Sequence, residues 1–405
     1  MKKIAYLCSE YPAISHTFIF REIQSMRAEG LDIYPVSVDR TRNLARMTAA
    51  EQQEARQTLI LKETSLLTGL IALLAVFGRQ PLGLLRMTVQ AIVLCFKGPK
   101  KPLKALGYLA EAIILVAWLQ KNQIEHIHEH FANPTAVVAL LVKSCSGISY
   151  SLSVHGPDIF YQVDSSLLGQ KISEASFVRC ISHYCRSQLW RISPHASWGK
   201  FHIVRCGVDP EVYRPSLQTT HTVPELLCVG RLCPAKGQHV LLGACALLKQ
   251  QLIPFHLTLV GDGEDRQSLE TMVRQSNLST QVTFTGALGQ DEVRGFYDSA
   301  DIFVLPSFAE GVPVVLMEAM AKEIPVVTTR ITGIPELVED QHQGLLATPG
   351  DVEELAQQLR LLLADKPLAT ALGAAGRAQV VLRYNQHQNN PRLAALFAEY
   401  GEQPC

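Results

Sequence analysis

The chain has 405 residues, enough for two domains of ordinary size, each with its own hydrophobic core. Acidic and basic side chains balance at 37 each, so no overall positive field indicates a nucleic-acid partner. The ten cysteines are scattered without Cys-x-x-Cys pairs, which favours reduced thiols in the cytoplasm over disulfides or a zinc site.

Strand-like and helix-like segments alternate along the first part of the chain, 1–205, and this order predicts a parallel sheet with crossover helices. The apolar run behind Met1 is far too short for a signal peptide, so we interpret it as the first strand. The predicted strands are 3–8, 32–38, 124–128, 150–154, 176–181 and 201–204. Together they define an N-terminal α/β domain.

An unusually apolar helical segment, 59–120, follows the second predicted strand. No residue of 64–78 is charged, and Arg86 is the one charge in 82–96. Neither run reaches the ~20 residues that cross a bilayer. The basic residues that follow are Lys97, Lys100, Lys101 and Lys104. Two interpretations stay open: the helices cover the first sheet, or they lie on an anionic membrane surface.

Three histidines alternate in and just after the third predicted strand, at His126, His128 and His130. Because side chains of a strand alternate between its two faces, all three would line one face. Three imidazoles on one face could bind zinc. We favour the alternative that they end a strand near the site without a metal.

The second part of the chain, 206–385, has the same alternating pattern and begins after turn-rich residues 206–224. Its predicted strands are 225–230, 255–260, 282–285, 302–305 and 325–328. The tail, 386–405, could cross back onto the first domain. Two open parallel sheets bind ligands at the carboxyl ends of their strands, so we expect the site in a cleft between the domains.

Glu310 and Glu318 stand eight residues apart around the start of a predicted helix. Glu310 follows the strand 302–305, Pro313 suits the first helical turn, and Glu318 lies within the helix. The amides between the two carboxylates form an anion site at the helix N-terminus. The residues of that amide segment are Gly311, Val312, Pro313, Val314 and Val315. Carboxylate, phosphate-binding amides and carboxylate form a clamp suited to a sugar–diphosphate–ribose chain.

Other strand ends of the second domain carry residues of matching chemistry. Arg231 and Lys236 flank the turn after the strand 225–230, where two cations can neutralise a diphosphate. Gly261 ends the next strand in a glycine turn that lets the backbone approach a ligand. Gly286 ends the third strand, where the backbone could form the edge of a base pocket. Each signal is weak by itself, and their combination predicts a nucleotide site.

These motifs resemble the donor-binding domain of retaining glycosyltransferases of the GT-B fold, family GT4, most of all those of colanic acid and other bacterial surface polysaccharides. The second-domain motifs are Val229-Gly-Arg-Leu232 with Lys236, Val260-Gly-Asp-Gly263, Glu310-Gly-Val-Pro-Val-Val-Leu-Met-Glu318, Gly333-Ile-Pro-Glu-Leu-Val338, and Gly344-Leu-Leu with Pro349-Gly-Asp351. The first-domain motifs are His128-Glu-His-Phe131, Ser153-Val-His-Gly-Pro-Asp158 and Cys206-Gly-Val-Asp-Pro210. The resemblance covers nearly the whole chain.

The resemblance implies an α/β fold of two Rossmann-like parallel-sheet domains that face each other across a cleft. It also implies residue roles: Glu310 binds hydroxyls of the donor sugar, and Glu318 binds those of the ribose. Arg231 and Lys236 would bind the diphosphate, and His155 would face the reacting centre.

By the same resemblance, the protein is expected to be a hexosyltransferase that moves a sugar, with retention, from a nucleotide-sugar to a lipid-linked saccharide of a surface polysaccharide. It would work in the cytoplasm, peripherally on the inner face of the cytoplasmic membrane. No Asp-x-Asp occurs in the chain, so we expect neither a metal nor another cofactor.

The first strand lacks the glycine-rich loop common in the family. Ser15, His16 and Thr17 stand there as a candidate diphosphate loop, unless Ser15 or Thr17 merely caps the next helix.

Two other functions share this architecture. One is an isomerase similar to nucleotide-sugar 2-epimerases, which would need no acceptor. The other is a non-catalytic partner that binds nucleotide-sugars or scaffolds a polysaccharide assembly complex. The sequence does not determine the donor sugar, the base, the acceptor or the oligomeric state.

Overall fold

The computed structural model describes residues 3–13, 16–42, 44–97, 102–132, 134–156, 167–216 and 221–401. The chain folds as two compact units. The first consists of Met1–Ala45, Ala49–Val204 and Asn390–Cys405, and the second of Arg46–Thr48 and Arg205–Asn389. Each unit is built around one parallel sheet.

The first unit contains a seven-stranded sheet in the order β3-β2-β1-β4-β5-β6-β7. Its strands are β1 (Lys3–Glu10), β2 (Asp32–Asp39), β3 (Leu59–Ile60), β4 (His126–His130), β5 (Ser149–Val154), β6 (Val178–Cys180) and β7 (Phe201–Ile203). All six predicted strands are present, and β4 begins at His126 rather than at residue 124. The two-residue edge strand β3 was not predicted, because so short a segment has no readable period.

Helices cover this sheet, as the alternating sequence predicts. They are α1 (Thr17–Ala28), α2 (Ala49–Gln57), α3 (Leu66–Arg79), α4 (Pro81–Lys97), α5 (Pro102–Asn122), α6 (Thr135–Ser146), α7 (Leu168–Glu174) and α8 (His183–Arg191). Helix α6 packs on β4 and β5, and α4 and α5 pack in turn on α6. The apolar segment therefore adds a second helical layer on this side of the sheet.

The helices α3, α4 and α5 are apolar on two sides. Their inner sides are buried, through residues such as Val76, Met87 and Leu115. Their outer sides leave large apolar residues exposed, namely Leu66, Leu67, Leu70, Ile71, Leu74, Phe77, Leu82, Leu85, Val89, Ile92, Leu103 and Leu106. We call this set the outer apolar face. Covering the first unit thus uses only part of the apolar surface of these helices.

Length and composition would allow one described helix, Leu103–Asn122, to cross a membrane. The helices Leu66–Arg79 and Pro81–Leu94 are long and apolar enough only if the two together form one span. The pair is bent by 117° where the helices join. One or two such helices are weak evidence for a span, because the core helix of a soluble protein has the same composition.

The second unit contains a six-stranded sheet in the order β10-β9-β8-β11-β12-β13. Its strands are β8 (Glu225–Val229), β9 (His256–Val260), β10 (Val282–Gly286), β11 (Ile302–Leu305), β12 (Val326–Thr329) and β13 (Leu345–Ala347). The five predicted strands are present, and the short β13 was not predicted. The helices of this unit are α9 (Gln238–Gln250), α10 (Arg266–Gln275), α11 (Gln290–Asp298), α12 (Val314–Ala321), α13 (Ile334–Leu337), α14 (Val352–Ala364) and α15 (Lys366–Arg383).

The last helix, α16 (Gln386–Gly401), begins in the second unit and ends in the first. Leu393, Leu396 and Phe397 are buried in the first unit's core. The Phe397 ring lies 6.2 Å from that of Tyr6 and 5.5 Å from that of Phe177, measured between centroids. The spacing of the three apolar residues places them on one side of the helix, which explains why the C-terminal part of α16 packs in the core of the first unit.

Candidate functional site

In the second unit, the loops after β8 and β11 meet through an ion pair. Lys236 Nζ donates a short hydrogen bond to Glu310 Oε1, and the Ser307 hydroxyl donates to the same oxygen at 2.8 Å. Burial alone would lower the pKa of Lys236, but the Glu310 carboxylate raises it above its usual value. The cation and the carboxylate that the sequence assigns to the diphosphate and the sugar therefore lie together.

The backbone holds these two loops in place. Phe308 N donates to Ala235 O at 2.8 Å, and the Thr332 hydroxyl donates to Glu310 O at 2.6 Å. Gly237 has φ +65°, and a Cβ there would lie 2.2 Å from Pro306 O. Only glycine fits this close approach, so the turn after Lys236 packs directly on the end of β11.

Glu318 lies within α12 and is buried, with 7% of its surface exposed. The Tyr213 hydroxyl donates to its Oε1 at 2.7 Å, and the Tyr297 hydroxyl donates to its Oε2 at 3.0 Å. Gln290 Nε2 in turn donates to the Tyr213 hydroxyl at 3.2 Å. The carboxylate is thus oriented by two phenols before any ligand is present. Its two oxygens offer about four lone-pair positions, and the two phenols use part of them.

Helix α12 begins at Val314, and Pro313 is its N-cap with extended backbone (φ −69°, ψ 124°). Pro313 was predicted inside the first helical turn, but it is the N-cap, one residue before the helix begins. Met317 N donates to Pro313 O at 3.4 Å, so the amides before Met317 lie in the first turn, where they have no carbonyl within the helix. Gly311 lies in the loop before the helix, Val312 is buried there, and Val315 follows Val314 in the first turn.

The glycines predicted at strand ends lie together at one edge of the second sheet. Gly261 N donates to Gly286 O at 3.0 Å, and a Cβ on Gly261 (φ +143°) would lie 1.9 Å from Gly230 O. Arg231 follows Gly230 and is exposed. Its guanidinium makes no hydrogen bond or ion pair with the part of the chain that the structure describes, so no such contact joins it to Lys236 or Glu310.

In the first unit, His155 follows the carboxyl end of β5. Its Nε2 forms a 3.0 Å hydrogen bond with His130 Nδ1, and the rings of Phe18 and Phe131 lie 4.9 Å from its own. Burial, helped by His130 and Arg179, lowers the pKa of His155 well below its usual range. An uncharged imidazole is therefore present at neutral pH. Residues 157–166, which complete the motif after it, lie outside the described residues.

Beneath His155 lies a buried ion pair between Glu22 of α1 and Arg179 of β6. Arg179 Nε also donates to Val204 O at 2.9 Å, and Tyr6 Oη donates to Glu22 Oε1 at 3.3 Å. Burial alone would raise the pKa of Glu22, but Arg179 and His130 hold it well below its usual range. Glu22 is thus an ionised carboxylate inside the core.

The predicted histidine row faces a row of serines on β5. His126 bonds to Ser149 and Ser151 at 2.8 and 2.7 Å, and His128 bonds to Ser151 and Ser153 at 2.7 and 2.8 Å.

Ligand atoms of Glu22, His128 and His130 lie within 4.8 Å of one another, the spacing of a metal site. A metal ion there would have to take one ring nitrogen of His128, and both nitrogens already bond to serines.

The candidate diphosphate loop is described only in part, because Ser15 lies outside the described residues. His16 occupies the N-cap of α1 without a side-chain capping bond, and Thr17 is the first helical residue. Capping by Thr17 is therefore wrong, since its position is already inside the helix. Burial lowers the pKa of His16 to about 4.

Several residues of the site escaped the sequence analysis. In the second unit they are Tyr213, Tyr297, Ser307 and Thr332, and in the first they are Glu22 and Arg179. Ser307 had a usable signal, since it opens the Glu310 motif. The others come from distant segments, and their partners become visible only when the chain is folded.

Residues 209–379 match the family model described as glycosyl transferases group 1. AmsK of Erwinia amylovora, an amylovoran biosynthesis glycosyltransferase, is 36% identical over 221 residues, which are 52% of this chain and 54% of AmsK. WcaL of Escherichia coli K12, whose name assigns it to colanic acid biosynthesis, is 38% identical over 207 residues, or 49% of this chain and 51% of WcaL. The chain thus spans about half the length of these relatives.

Among solved structures, HepE of Anabaena in complex with UDP-glucose matches with a TM-score of 0.75 and 18% identity, over 98% of this chain and 100% of that chain. At this identity the likeness shows the fold alone, which is GT-B. The predicted fold class is thereby confirmed.

Proposed function

We propose that the protein transfers a hexose from a nucleotide-sugar to a saccharide acceptor in surface polysaccharide synthesis, since residues 209–379 match the model of glycosyl transferases group 1. The observation that carries the proposal is the Lys236–Glu310 ion pair with the tyrosine-bound Glu318 eight residues further on. AmsK and WcaL, with their polysaccharide names, support the pathway class. The UDP-glucose bound by HepE supports a nucleotide-sugar donor.

The donor would lie across the first turn of α12. Glu318 would accept from the ribose hydroxyls, and Glu310 from hydroxyls of the sugar. An ammonium has three N–H donors, so the bond from Lys236 to Glu310 leaves donors for the diphosphate oxygens. The exposed Arg231 would add a second cation.

Transfer would proceed with retention of the anomeric configuration and without a metal ion. Negative charge builds on the leaving diphosphate, and Lys236, Arg231 and the backbone N–H groups of 311, 312, 314 and 315 would stabilise it most in the transition state. His155 would contact the donor sugar in its uncharged form. The leaving phosphate would take the proton of the acceptor hydroxyl as the new glycosidic bond forms on the same face.

The acceptor would be a lipid-linked saccharide, reached from the cytoplasmic face of an anionic membrane. The outer apolar face supports this location, since it exposes apolar side chains on three consecutive helices. Residues 64–110 carry six basic side chains and no acidic one. Apolar side chains in the interface with lysines and arginines beside anionic headgroups are typical of helices that lie on a membrane.

Calorimetry with UDP, GDP, ADP and CMP, without added metal, tests the donor site. We expect one of them to bind tightly, and Glu318→Ala to weaken that binding at least ten-fold, about 1.4 kcal/mol or more. Product analysis with the matching nucleotide-sugar then separates transfer from epimerisation, which needs no acceptor. If no nucleotide binds, the scaffold alternative replaces this proposal.

Co-sedimentation with vesicles tests the membrane location. We expect binding to phosphatidylglycerol vesicles at low salt, less at high salt, and strong loss in the double variant Leu70→Glu, Leu74→Glu. Leu252→Glu is the matched control, because Leu252 is also exposed but lies in the second unit. Equal binding of both variants, or no binding at either salt, would leave the helices with a covering role only.

A further inference from the structure

Three threonine hydroxyls join the segment after β11 to the end of β12 and the loop that follows it. Because β11 and β12 are parallel neighbours, with Leu305 opposite Thr328, both segments leave the sheet at the same edge. The donors are Thr328, Thr329 and Thr332, and the acceptors in the same order are the backbone oxygens of Leu305, Ser307 and Glu310, at 2.8, 2.6 and 2.6 Å. These bonds therefore follow the chain from the end of β11 as far as Glu310.

The bond to Ser307 shows how such a contact fixes a loop. A trans peptide group is planar, so its carbonyl oxygen and its N–H point in opposite directions. Thr329 donates to the oxygen of the peptide between Ser307 and Phe308, and the N–H of the same peptide donates to Ala235 O at 2.8 Å. The plane of this peptide is therefore held from both sides.

The peptide between Glu310 and Gly311 is held by the protein from its oxygen side. Thr332 donates to Glu310 O, which directs the Gly311 N–H the opposite way. Within the part of the chain that the structure describes, that N–H donates to no protein acceptor, and Gly311 is half-buried. The Thr332 hydroxyl thus orients a backbone N–H that the proposed function assigns to the donor, and it does so beside the Glu310 side chain.

Thr332 makes this contact from a strained backbone. Its φ is +47°, in the left-handed region, where a β-branched residue is a rare outlier. A residue in such a conformation lowers stability and persists only where other contacts hold it. Glycine would adopt this φ without strain, but it has no hydroxyl. What threonine adds at this position is therefore the bond to Glu310 O.

We propose that Thr332 is a positioning residue for Glu310. By fixing the peptide between Glu310 and Gly311, it orients the Glu310 carboxylate toward the donor sugar and the Gly311 N–H toward the diphosphate. This role rests on the proposed function, in which Glu310 binds hydroxyls of the sugar. Lys236 and Ser307 hold the carboxylate itself, so that Glu310 is fixed through both its backbone and its side chain.

Crystal structures of the ligand-free full chain test the geometry independently of any reaction. The wild-type protein is compared with Thr332→Val, which keeps the branched shape and removes the hydroxyl. We expect the wild type to show the bond to Glu310 O, and the variant to show the 310–311 peptide rotated or in more than one orientation. An unchanged peptide plane in Thr332→Val would overturn the proposal, as would a wild-type hydroxyl directed away from Glu310 O.

Three substitutions at residue 332 separate positioning from packing. Thr332→Ser keeps the hydroxyl, so we expect kcat close to that of the wild type. Thr332→Val and Thr332→Gly remove it, and we expect both to lower kcat about ten-fold, because a misplaced contact is weakened in the transition state. Since glycine relieves the strain, Thr332→Gly should have the higher urea midpoint of the two, measured by far-ultraviolet circular dichroism. A purely structural role would instead make kcat follow stability, and Thr332→Gly would then transfer better than Thr332→Val.

Thr328→Val is the matched control. Thr328 is a buried threonine four residues earlier whose hydroxyl also donates to a backbone oxygen, but that oxygen belongs to Leu305 in β11. We expect this variant to lower the urea midpoint and to keep kcat close to that of the wild type. A ten-fold loss of kcat in Thr328→Val as well would mean that the threonines act on the sheet in general and not on Glu310.

Kinetics with the nucleotide-sugar that the calorimetry selects connect Thr332 to Glu310. In a Glu310→Ala background, Thr332→Val should lower kcat by less than it does in the wild type, since the carboxylate that it orients is gone. Equal lowering in both backgrounds would show that Thr332 does not act through Glu310. If Glu310→Ala retains full transfer, the sugar contact of the proposed function fails. If only the Thr332 variants retain it, the positioning role fails and the proposed function stands.

Discussion

The two parallel sheets differ in what they bury. In the first unit, β4 and β5 place histidines and serines opposite one another in the middle of the sheet, and β6 adds Arg179. In the second unit, β8 is apolar after Glu225 and β11 is apolar along its length, and the charged residues of the candidate site lie beyond the carboxyl ends of these strands. The first unit supports its candidate histidine from the interior. The second supports its candidate carboxylates from loops and from two tyrosines.

This difference has an energetic consequence. A buried polar group is tolerated only when it is hydrogen-bonded, and a buried charge only when it is paired. The buried histidines, serines and Arg179 of the first sheet therefore depend on one another, and removing one side chain leaves its partners without a hydrogen bond or an ion pair. The loops of the second unit are half-buried, so their changes should affect ligand binding and transfer more than folding.

Arg179→Met is expected to give the largest effect on stability. It leaves the buried Glu22 carboxylate without its paired cation, so we expect the free energy of unfolding of the first unit to fall by about 3–5 kcal/mol. All three tryptophans, Trp118, Trp190 and Trp198, lie in this unit, so tryptophan fluorescence in urea reports on it. The double variant Glu22→Leu, Arg179→Met is the control and should regain part of the loss. A loss below 1 kcal/mol would show that the two sheets do not differ in this way.

Glu310→Ala tests the loops of the second unit. It removes the proposed sugar contact and the partner of Lys236, so we expect transfer to fall about 100-fold, within the usual range for a lost electrostatic contact. The urea midpoint followed by far-ultraviolet circular dichroism, to which both units contribute, should not change. Glu353→Ala, an exposed carboxylate of α14, is the control. Full activity of Glu310→Ala would remove the sugar contact from the proposal.

The pH dependence of stability should also come from the first unit. Burial lowers the pKa of His128 and His155 well below the usual value, so the unfolded chain binds protons that the folded unit does not as pH falls below about 6.5. Each histidine should then cost up to about 1.4 kcal/mol per pH unit. Glu111 opposes them: burial raises its pKa to about 7, so its protonation stabilises the folded state below that pH.

Urea unfolding at pH 7.5, 6.5 and 5.5, followed by tryptophan fluorescence, measures this balance. Since His16, His128 and His155 together outweigh one carboxyl group, we expect the free energy of unfolding to fall as the pH falls. Glu111→Gln should make the fall steeper. Stability that stays constant or rises toward pH 5.5 would be incompatible with uncharged buried histidines.

Tyr213→Phe should have the smallest effect. It removes one of the phenols that orient Glu318, and a hydrogen bond to a charged group contributes about 1.5–3 kcal/mol to stability, of which a bound nucleotide would lose only a part. We expect nucleotide affinity measured by calorimetry to fall about five-fold or more, less than for Glu318→Ala. Tyr384→Phe is matched to it, because the Tyr384 hydroxyl also bonds within the second unit, to Glu336 O, but not to Glu318. Equal effects of both variants would mean that the phenol does not act through Glu318.

The predicted strands and the loop and helix positions of Glu310 and Glu318 follow from local sequence. Strand 302–305 is a short apolar run bounded by Asp301 and Pro306, and proline and glycine restrict the backbone without help from distant residues. The edge strands β3 and β13 were missed, because two or three residues have no period. The position of Pro313 shifted by one, since helix boundaries depend on capping contacts.

Pairing between distant segments is what only the tertiary structure decided. The alternating histidines of β4 and serines of β5 were both visible, but their contact depends on the register of two strands joined through a helix. The partners of Glu318 come from residues 213 and 297, and that of Glu22 from residue 179. The sequence by itself determined which side chains bear charge and which segments bury apolar surface, because these depend on residue type and short-range spacing. Which charges neutralise or orient one another depends on distances of a few ångströms, which arise only when the sheets form.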